Sequence, residues 1–377
     1  QISAANLRVP GTGDPLNGLV IADKNSPYGR RVVQSHADTV GPRAGFSWTP
    51  FNDSRTAIRG GYGMYFDRTL VGIALQNAFV NPPFAFSAQF NASGSTVPTL
   101  QNPAAGAQRN NETLVPNLIA MSQDFKIPTT HQYSIGVQHE LPMQINLDAA
   151  YVGGQGRNLL WNQQINQTPA GTGAPNNAAR PYPGYGNINF RSTTASSRYD
   201  SLQLSLSRRL QAGVQVNANY TLSKAVSDAS ADRGATQQDI SNLAAERAIT
   251  TYDRTHIFGI HYVWDLPIFR NASGLLYNVL GGWELTGSTR YATGLPLTIT
   301  TATNSANSFG GGSLRPNLVG DTAGAETVGQ WFNTAAFAQP AANQFGNSPN
   351  GVLRGPGIHL TDLGLFKNFK ISSRVQA

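Results

Sequence analysis

The 377 residues include no cysteine. Disulfide staples, thiolate metal ligands and thiol nucleophiles are therefore excluded. Charge is scarce too: only 12% of residues are Asp, Glu, Lys or Arg, about half the ~25% usual for a soluble domain. Basic residues outnumber acidic ones, for a net charge of +7. They stand singly rather than in runs, so nucleic acid is not an expected partner. No segment approaches the ~20 consecutive apolar residues of a membrane helix. No Gly-x-x-x-x-Gly-Lys phosphate loop, His-Glu-x-x-His zinc motif or Gly-x-Ser-x-Gly nucleophile elbow occurs. The six histidines are dispersed. Asp228, Asp232 and Asp239 are spaced somewhat like calcium ligands, but Gly234 falls one place late for such a loop and no Glu closes it. No catalytic, cofactor-binding or metal-ligating residue is assigned, and the chain is not expected to be an enzyme. Ligand-binding residues stay unassigned.

Neutral polar residues fill the space that charge leaves, and they alternate with apolar ones. From Arg198 to Lys224, Leu202, Leu204 and Leu206 share one parity while Ser201, Gln203, Ser205, Ser207 and Arg209 take the other. After a break at Gln211-Ala212-Gly213, Val214, Val216, Ala218, Tyr220 and Leu222 alternate with Gln215, Asn217, Asn219, Thr221 and Ser223. Successive side chains of a strand point to opposite faces, so this is a hairpin with one oily and one wet side. The wet side carries hydroxyls and amides rather than the charges of a soluble sandwich. Hydrocarbon against one face and a polar lumen against the other fits this pattern better than a dry core does.

The same period recurs along the chain. It predicts strands over Arg43–Trp48 (Ala44, Phe46 and Trp48 on one side), Thr56–Phe66 (Ile58, Tyr62, Met64, Phe66), His131–Leu141 (Tyr133, Ile135, Val137) and Ile145–Gly154 (Leu147, Ala149, Tyr151). It predicts others over Asp253–Leu266, Gly282–Thr301 and about His359–Ile371. In Asp253–Leu266 both parities are apolar, which leaves the facing open. Gly60, Gly61 and Gly63 are expected to admit a close neighbour or a bend. The connections sort by length. Short ones (50–55, 142–144, 212–213, 267–279) alternate with long ones (67–130, 155–197, 225–252, 302–357), and residues 1–40 read as a surface loop. Antiparallel neighbours put successive connections at opposite ends, so one end carries short turns and the other long loops. One or two helical turns are expected within Gln237–Ile249. Tyr62, Tyr65, Phe66, Tyr151, Tyr220, Trp264, Trp283 and Tyr291 fall near strand ends, where an aromatic girdle belongs. The fold class expected is all-β: an antiparallel transmembrane β-barrel, partial, with nine strands and the start of a tenth, long extracellular loops and short periplasmic turns.

The words of the sequence also resemble a family. Gly41-Pro42-Arg43-Ala44-Gly45-Phe46-Ser47-Trp48, Ile58-Arg59-Gly60-Gly61-Tyr62-Gly63-Met64-Tyr65-Phe66-Asp67-Arg68, Tyr199-Asp200-Ser201-Leu202-Gln203, Tyr252-Asp253-Arg254-Thr255-His256, Gly281-Gly282-Trp283-Glu284-Leu285, Arg315-Pro316-Asn317-Leu318 and Leu365-Phe366-Lys367-Asn368-Phe369 follow one another in order. The series is similar to the barrel of TonB-dependent outer-membrane receptors of the Oar-like kind, which carry a carboxypeptidase-regulatory-like N-terminal domain. The resemblance implies the later part of a barrel of about 22 strands. It also implies a plug domain and a TonB-contacting segment, neither of which is found in residues 1–377. With no initiating Met, no leader and no terminal aromatic, the chain reads as a fragment or the ordered part of a longer one. The function implied is bacterial outer-membrane transport: uptake of a large or scarce extracellular substrate such as a peptide, glycan or metal chelate, through outer-membrane lipid and with the TonB complex as partner. The alternatives from other classes are a structural, adhesive or self-assembling surface β protein and a passive channel.

Overall fold

The computed structural model describes residues 21–31, 39–51, 55–67, 72, 80–81, 99–102, 117–173, 177–211, 213–229, 237–269, 272, 274–372 and 375–376. Nine strands form one continuous antiparallel path: β1 (Arg43–Trp48), β2 (Thr56–Phe66), β3 (Thr129–Leu141), β4 (Ile145–Gln164), β5 (Ile188–Gln211), β6 (Val214–Ser227), β7 (His256–Asp265), β8 (Trp283–Ala292) and β9 (Ile358–Lys367). Each pairs with the strand next to it in this order, as up-and-down barrel walls do.

The register carries the two-faced pattern across the whole sheet. Directly opposed residues run Trp48, Ile58, Val137, Ala149, Leu204, Tyr220, Phe258, Tyr291, all apolar or aromatic. A neighbouring row on the other face runs Gln138, Asp148, Ser205, Asn219, Gly259, Arg290. The apolar row starts beside the short turn after β1 and ends beside the long connection after β8. Rows that climb in this way mean strands staggered and tilted, the geometry of a barrel wall. Ile135 is 53% exposed, Leu363 68% and Trp48 58%. No second layer covers these side chains among the described residues, so a dry sandwich core does not account for them. The facing of β7, open from sequence, is settled by its partners: Ile260 lies opposite Ala218 and Thr289, and Trp264 opposite Val214 and Leu285, on the apolar face.

Tight turns close the short-connection end. Gly213 adopts φ +79, and a Cβ there would stand 2.9 Å from the Asp265 Cβ, so the β5–β6 turn requires glycine. Pro142–Gln144 forms a single 3₁₀ turn. The expected close neighbour at Gly60 is Phe46, whose ring fills the position a Cβ would take.

Several boundaries differ from those expected. Nearly half of the loop 155–197 is strand, since β4 continues to Gln164 and β5 starts at Ile188. Its alternation fades because other loops cover both faces of this ribbon, and a register shift accompanies Asn158 at φ +53. Residues 67–130 fall mostly outside the described set, but their end holds Leu118–Met121, paired parallel to Ile188–Arg191. The connection 225–252 begins as strand, β6 running to Ser227, and its expected helical turn is the 3₁₀ segment Leu243–Glu246. The short link 267–279 contains α1 (Gly274–Leu280). β8 stops at Ala292, where Thr293 hydrogen-bonds back to His256, and Pro296–Leu297 instead pairs with Leu353–Arg354. β7 starts at His256 because Asp253 and Thr255 are engaged by Arg354. The last strand breaks after Lys367, and Lys370–Ser372 pairs with Val375–Gln376. The surface loop 1–40 is described only as turns at 21–31 and the stretch 39–40. The main buried apolar cluster, Leu118, Ala120, Tyr185 and Ile188, lies beyond the wall at the long-loop end.

Candidate functional site

Two features at the polar side can meet a solute: a block of interlocked loops at the long-connection end, and the polar face of the wall beneath it. The loop block is built by neutral amides. The Gln237 side chain clamps the backbone of Gln164, donating to its carbonyl and accepting from its N–H, both at 3.1 Å. Gln167 donates to the Gln238 carbonyl (2.8 Å) and accepts from the Ile240 N–H (2.9 Å). Gln238 donates to the Gly346 carbonyl (2.9 Å) and accepts from the Arg315 N–H (2.6 Å). Asn166, fully buried, donates to the carbonyls of Tyr182, Tyr185 and Gly186. Buried amides that saturate their bonds in this way fix one loop arrangement, because any slip leaves polar groups unmade.

An ion pair sits at the centre. Arg315 donates to both carboxylate oxygens of Glu246, at 2.9 and 3.0 Å, and Asn350 donates to the same carboxylate at 2.8 Å. Arg315 is 3% exposed and Glu246 8%. Two long connections, 225–252 and 302–357, thus meet at one carboxylate, which also accepts from the Gln238 N–H at 3.0 Å. Arg180 bridges the Asn166 carbonyl at 2.6 Å, and burial holds its guanidinium below the ordinary arginine value. A second node joins the block to the wall. Asp253 accepts from the Ala225 N–H at 2.7 Å, and Arg354 donates to its carboxylate, to its carbonyl and to Thr255. The motifs therefore have structural work to do: Tyr252-Asp253-Arg254-Thr255-His256 latches the loops to the barrel, and Arg315-Pro316-Asn317-Leu318 latches two loops to each other.

The polar wall holds a trough of about 640 Å³. Gly61, Gly154 and Gly156 form part of its floor, and Tyr65, Tyr199 and Gln132 stand along its sides. The Arg43 guanidinium lies 4.7 Å from the centre of the Tyr65 ring. Tyr65, expected in the aromatic girdle, has the parity of the polar face. Tyr62, Tyr151, Tyr220 and Tyr291 are on the apolar face as expected, and the Tyr62 and Tyr220 hydroxyls pair with His131 and His256 at 2.7 and 2.8 Å. His261 sits opposite Asn217 on the other face, so it and His256 do not meet. The Asp228 carboxylate accepts from the Ser196 N–H and hydroxyl and from Arg247. Asp239 caps Ser241, and Asp232 and Gly234 lie outside the described residues. Among the described residues no group of three or more His, Cys, Asp or Glu could hold a metal. Sequence reading assigned none of the loop-block residues. The available signal was the pairing of amides, Gln163-Gln164, Asn166-Gln167 and Gln237-Gln238, in connections otherwise taken as solvated.

An up-and-down wall with one lipid-compatible face, one polar face and loops gathered at one end defines an outer-membrane β-barrel. Residues 3–377 match the outer membrane beta barrel domain family, and the chain belongs to it. It is thus a protein of the bacterial outer membrane. Among solved structures it is similar to the outer membrane transporter YddB from Escherichia coli (13% identity, TM-score 0.43, covering 71% of this chain and 30% of that one). It is also similar to the FrpB iron transporter from Neisseria meningitidis (10% identity, TM-score 0.39, 88% and 32%) and to the ferripyoverdine receptor of Pseudomonas aeruginosa (12%, 0.35, 69% and 24%). The chain spans about a third or less of the length of each. No curated protein matches it.

Proposed function

We propose that this chain is the wall and extracellular cap of a TonB-dependent receptor, of the Oar-like kind, that takes up a large or scarce solute. On this reading the plug and the TonB-contacting segment belong to other parts of the protein, and strands outside these residues complete a barrel of about 22. The observation that carries the reading is the pairing of a polar, trough-bearing inner face with a pre-assembled polar cap over the same end. A passive pore needs the first but not a cap held by a buried ion pair; a large ligand is best served by both.

The test is genetic. The gene is deleted in its host, and growth is compared on limiting peptide, glycan and metal-chelate sources with TonB present or inactivated. A receptor gives a defect on one source that loss of TonB reproduces and does not deepen. A defect that persists independently of TonB, together with steady conductance in planar bilayers, indicates a passive channel. No growth defect, with loss of cell clustering, indicates an adhesive surface protein.

A further inference from the structure

The link between β7 and β8 carries little that suits water. From Leu266 to Gly282 its one charged residue is Arg270, and its second half folds into α1. At about 100° per residue, Leu275, Leu276, Val279 and Leu280 fall within an arc of about 140°. Gly274, Tyr277 and Asn278 take the other side. A helix on a soluble surface buries its apolar stripe and shows its polar one. α1 does the reverse. Tyr277 is its buried residue, while the four aliphatic side chains are between 42% and 81% exposed. Ile268 and Phe269, just before the helix, are exposed as well, and no described residue covers the aliphatic arc.

The contact that holds α1 shows which side of the wall it lies on. Lys367 opposes Trp283. Two residues along, Leu365 opposes Leu285, which faces Trp264 across the next ladder. Lys367 therefore has the parity of the apolar face, at its short-turn margin. Its ammonium donates to the carbonyl of Tyr277 at 3.3 Å and to that of Gly281, at the end of α1. It lies 5.8 Å from the centre of the Tyr277 ring, 5.1 Å from that of Trp283 and 5.5 Å from that of Phe369. One cation thus pins the helix to the hydrocarbon side of the wall, its own charge met by carbonyls and ring faces. We propose that α1 lies flat in the periplasmic leaflet of the outer membrane, its Leu and Val side chains among the first acyl carbons of the phospholipids, as an interfacial anchor. Continuity argues for this occupant. α1 adjoins the lower margin of the face that Trp264, Leu285 and Leu365 present to acyl chains, and Trp283 and Tyr277 stand at the level of an aromatic belt. The anchor stands on the membrane facing of the sheet and is independent of what the receptor carries.

The full-length protein, with any other cysteine replaced by serine, is given one thiol at a time through Leu275→Cys, Leu276→Cys or Val279→Cys. Each is labelled with an environment-sensitive fluorophore and refolded into phospholipid vesicles. Ile135→Cys marks the middle of the wall, and Val328→Cys marks water in the exposed loops. Emission is read with lipids brominated near the headgroup, with lipids brominated near the chain end, and with iodide on both sides of the bilayer. The three helix labels should lose most of their emission to the shallow bromines and little to the deep ones or to iodide. Ile135 should respond most to the deep bromines, and Val328 to iodide alone. Adding Leu276→Gln/Val279→Gln should lift the Leu275 label into water, bringing its iodide quenching close to that at Val328 while the heat-modifiable gel shift is unchanged. Iodide quenching of the helix labels in otherwise unaltered protein, with Ile135 still responding to bromines, would overturn the anchor and leave the facing of the wall intact. Shielding from both quenchers, with chains cross-linking through a helix thiol, would show a second copy on this face and overturn the lipid assignment.

Discussion

Replacing Leu204 by lysine puts a cation at the middle of the face assigned to hydrocarbon, and the structure fixes how deep. On β5 the nearest charged residues on the same face are Asp200 and Arg208, four positions away on either side. Eight residues at about 3.4 Å each, in a strand tilted by about 40°, span roughly 21 Å along the membrane normal. That is close to the ~25 Å apolar band of such barrels, and Leu204 lies at its centre. A lysine at the midplane costs about 2–4 kcal/mol, which lowers the folded-to-unfolded ratio roughly 30- to 700-fold. Leu202→Lys and Leu206→Lys lie nearer the charged rims and should cost less. Ser205→Lys enters the polar face between Asp148 and Asn219 and should stay within ~0.5 kcal/mol of the parent. The full-length protein would be refolded into phospholipid vesicles, unfolded in urea, and scored by tryptophan fluorescence and heat-modifiable mobility. The order expected is Leu204→Lys least stable, the other two leucine variants intermediate, and Ser205→Lys near the parent. Equal stabilities, or Ser205→Lys as the worst, would refute the facing and everything built on it.

Four further outcomes follow from named contacts. Val216→Lys, opposite Arg208 and Tyr262 on the same face, should also impair membrane assembly, read as loss of the heat-modifiable band. Arg315→Ala leaves the Glu246 carboxylate buried without its partner, a loss of about 3–5 kcal/mol. It should expose 302–357 to limited proteolysis while the barrel keeps its gel shift; an unchanged digestion pattern would show that the ion pair does not hold the cap. Gly213→Ala forces an alanine into left-handed backbone against Asp265 and should cost about 1–2 kcal/mol, measured as a lower urea midpoint. Asp253→Asn removes a charge from the Arg354 node and should cost roughly 1.5–3 kcal/mol locally, seen as faster amide exchange at Ala225 and Thr250.

The wall was legible because a strand in a two-solvent environment repeats every second residue, and a barrel repeats the same strip many times. The parity of Leu202, Leu204 and Leu206 is the parity the register shows, and the same holds for every wall strand whose faces differ in polarity. β7 was ambiguous because Ile257 and Val263 make both its faces apolar; only its neighbours decide. The long-loop end was not legible. Beyond the rim the strands meet other loops rather than lipid, so alternation stops while pairing continues, and β4 and β5 read as loop past Gly154 and before Arg198. The cap residues were invisible for a related reason. Gln164, Gln167, Gln237 and Gln238 are buried by partners 71 to 141 residues away, and sequence spacing gives no sign of such meetings. Glu246 and Arg315 look like any two surface charges until they are placed at 8% and 4% side-chain exposure respectively.

The chemistry of that cap sets how it weathers conditions outside a cell. Carboxamides neither gain nor lose protons across the range in which bacteria live, and dissolved ions scarcely weaken the bonds they make. The Arg315–Glu246 couple at its centre is shielded from electrolyte by its burial. A vestibule assembled from Gln and Asn should therefore keep its shape from acid soil to brackish water, where one stitched together by exposed carboxylates and lysines would loosen with every shower or drought.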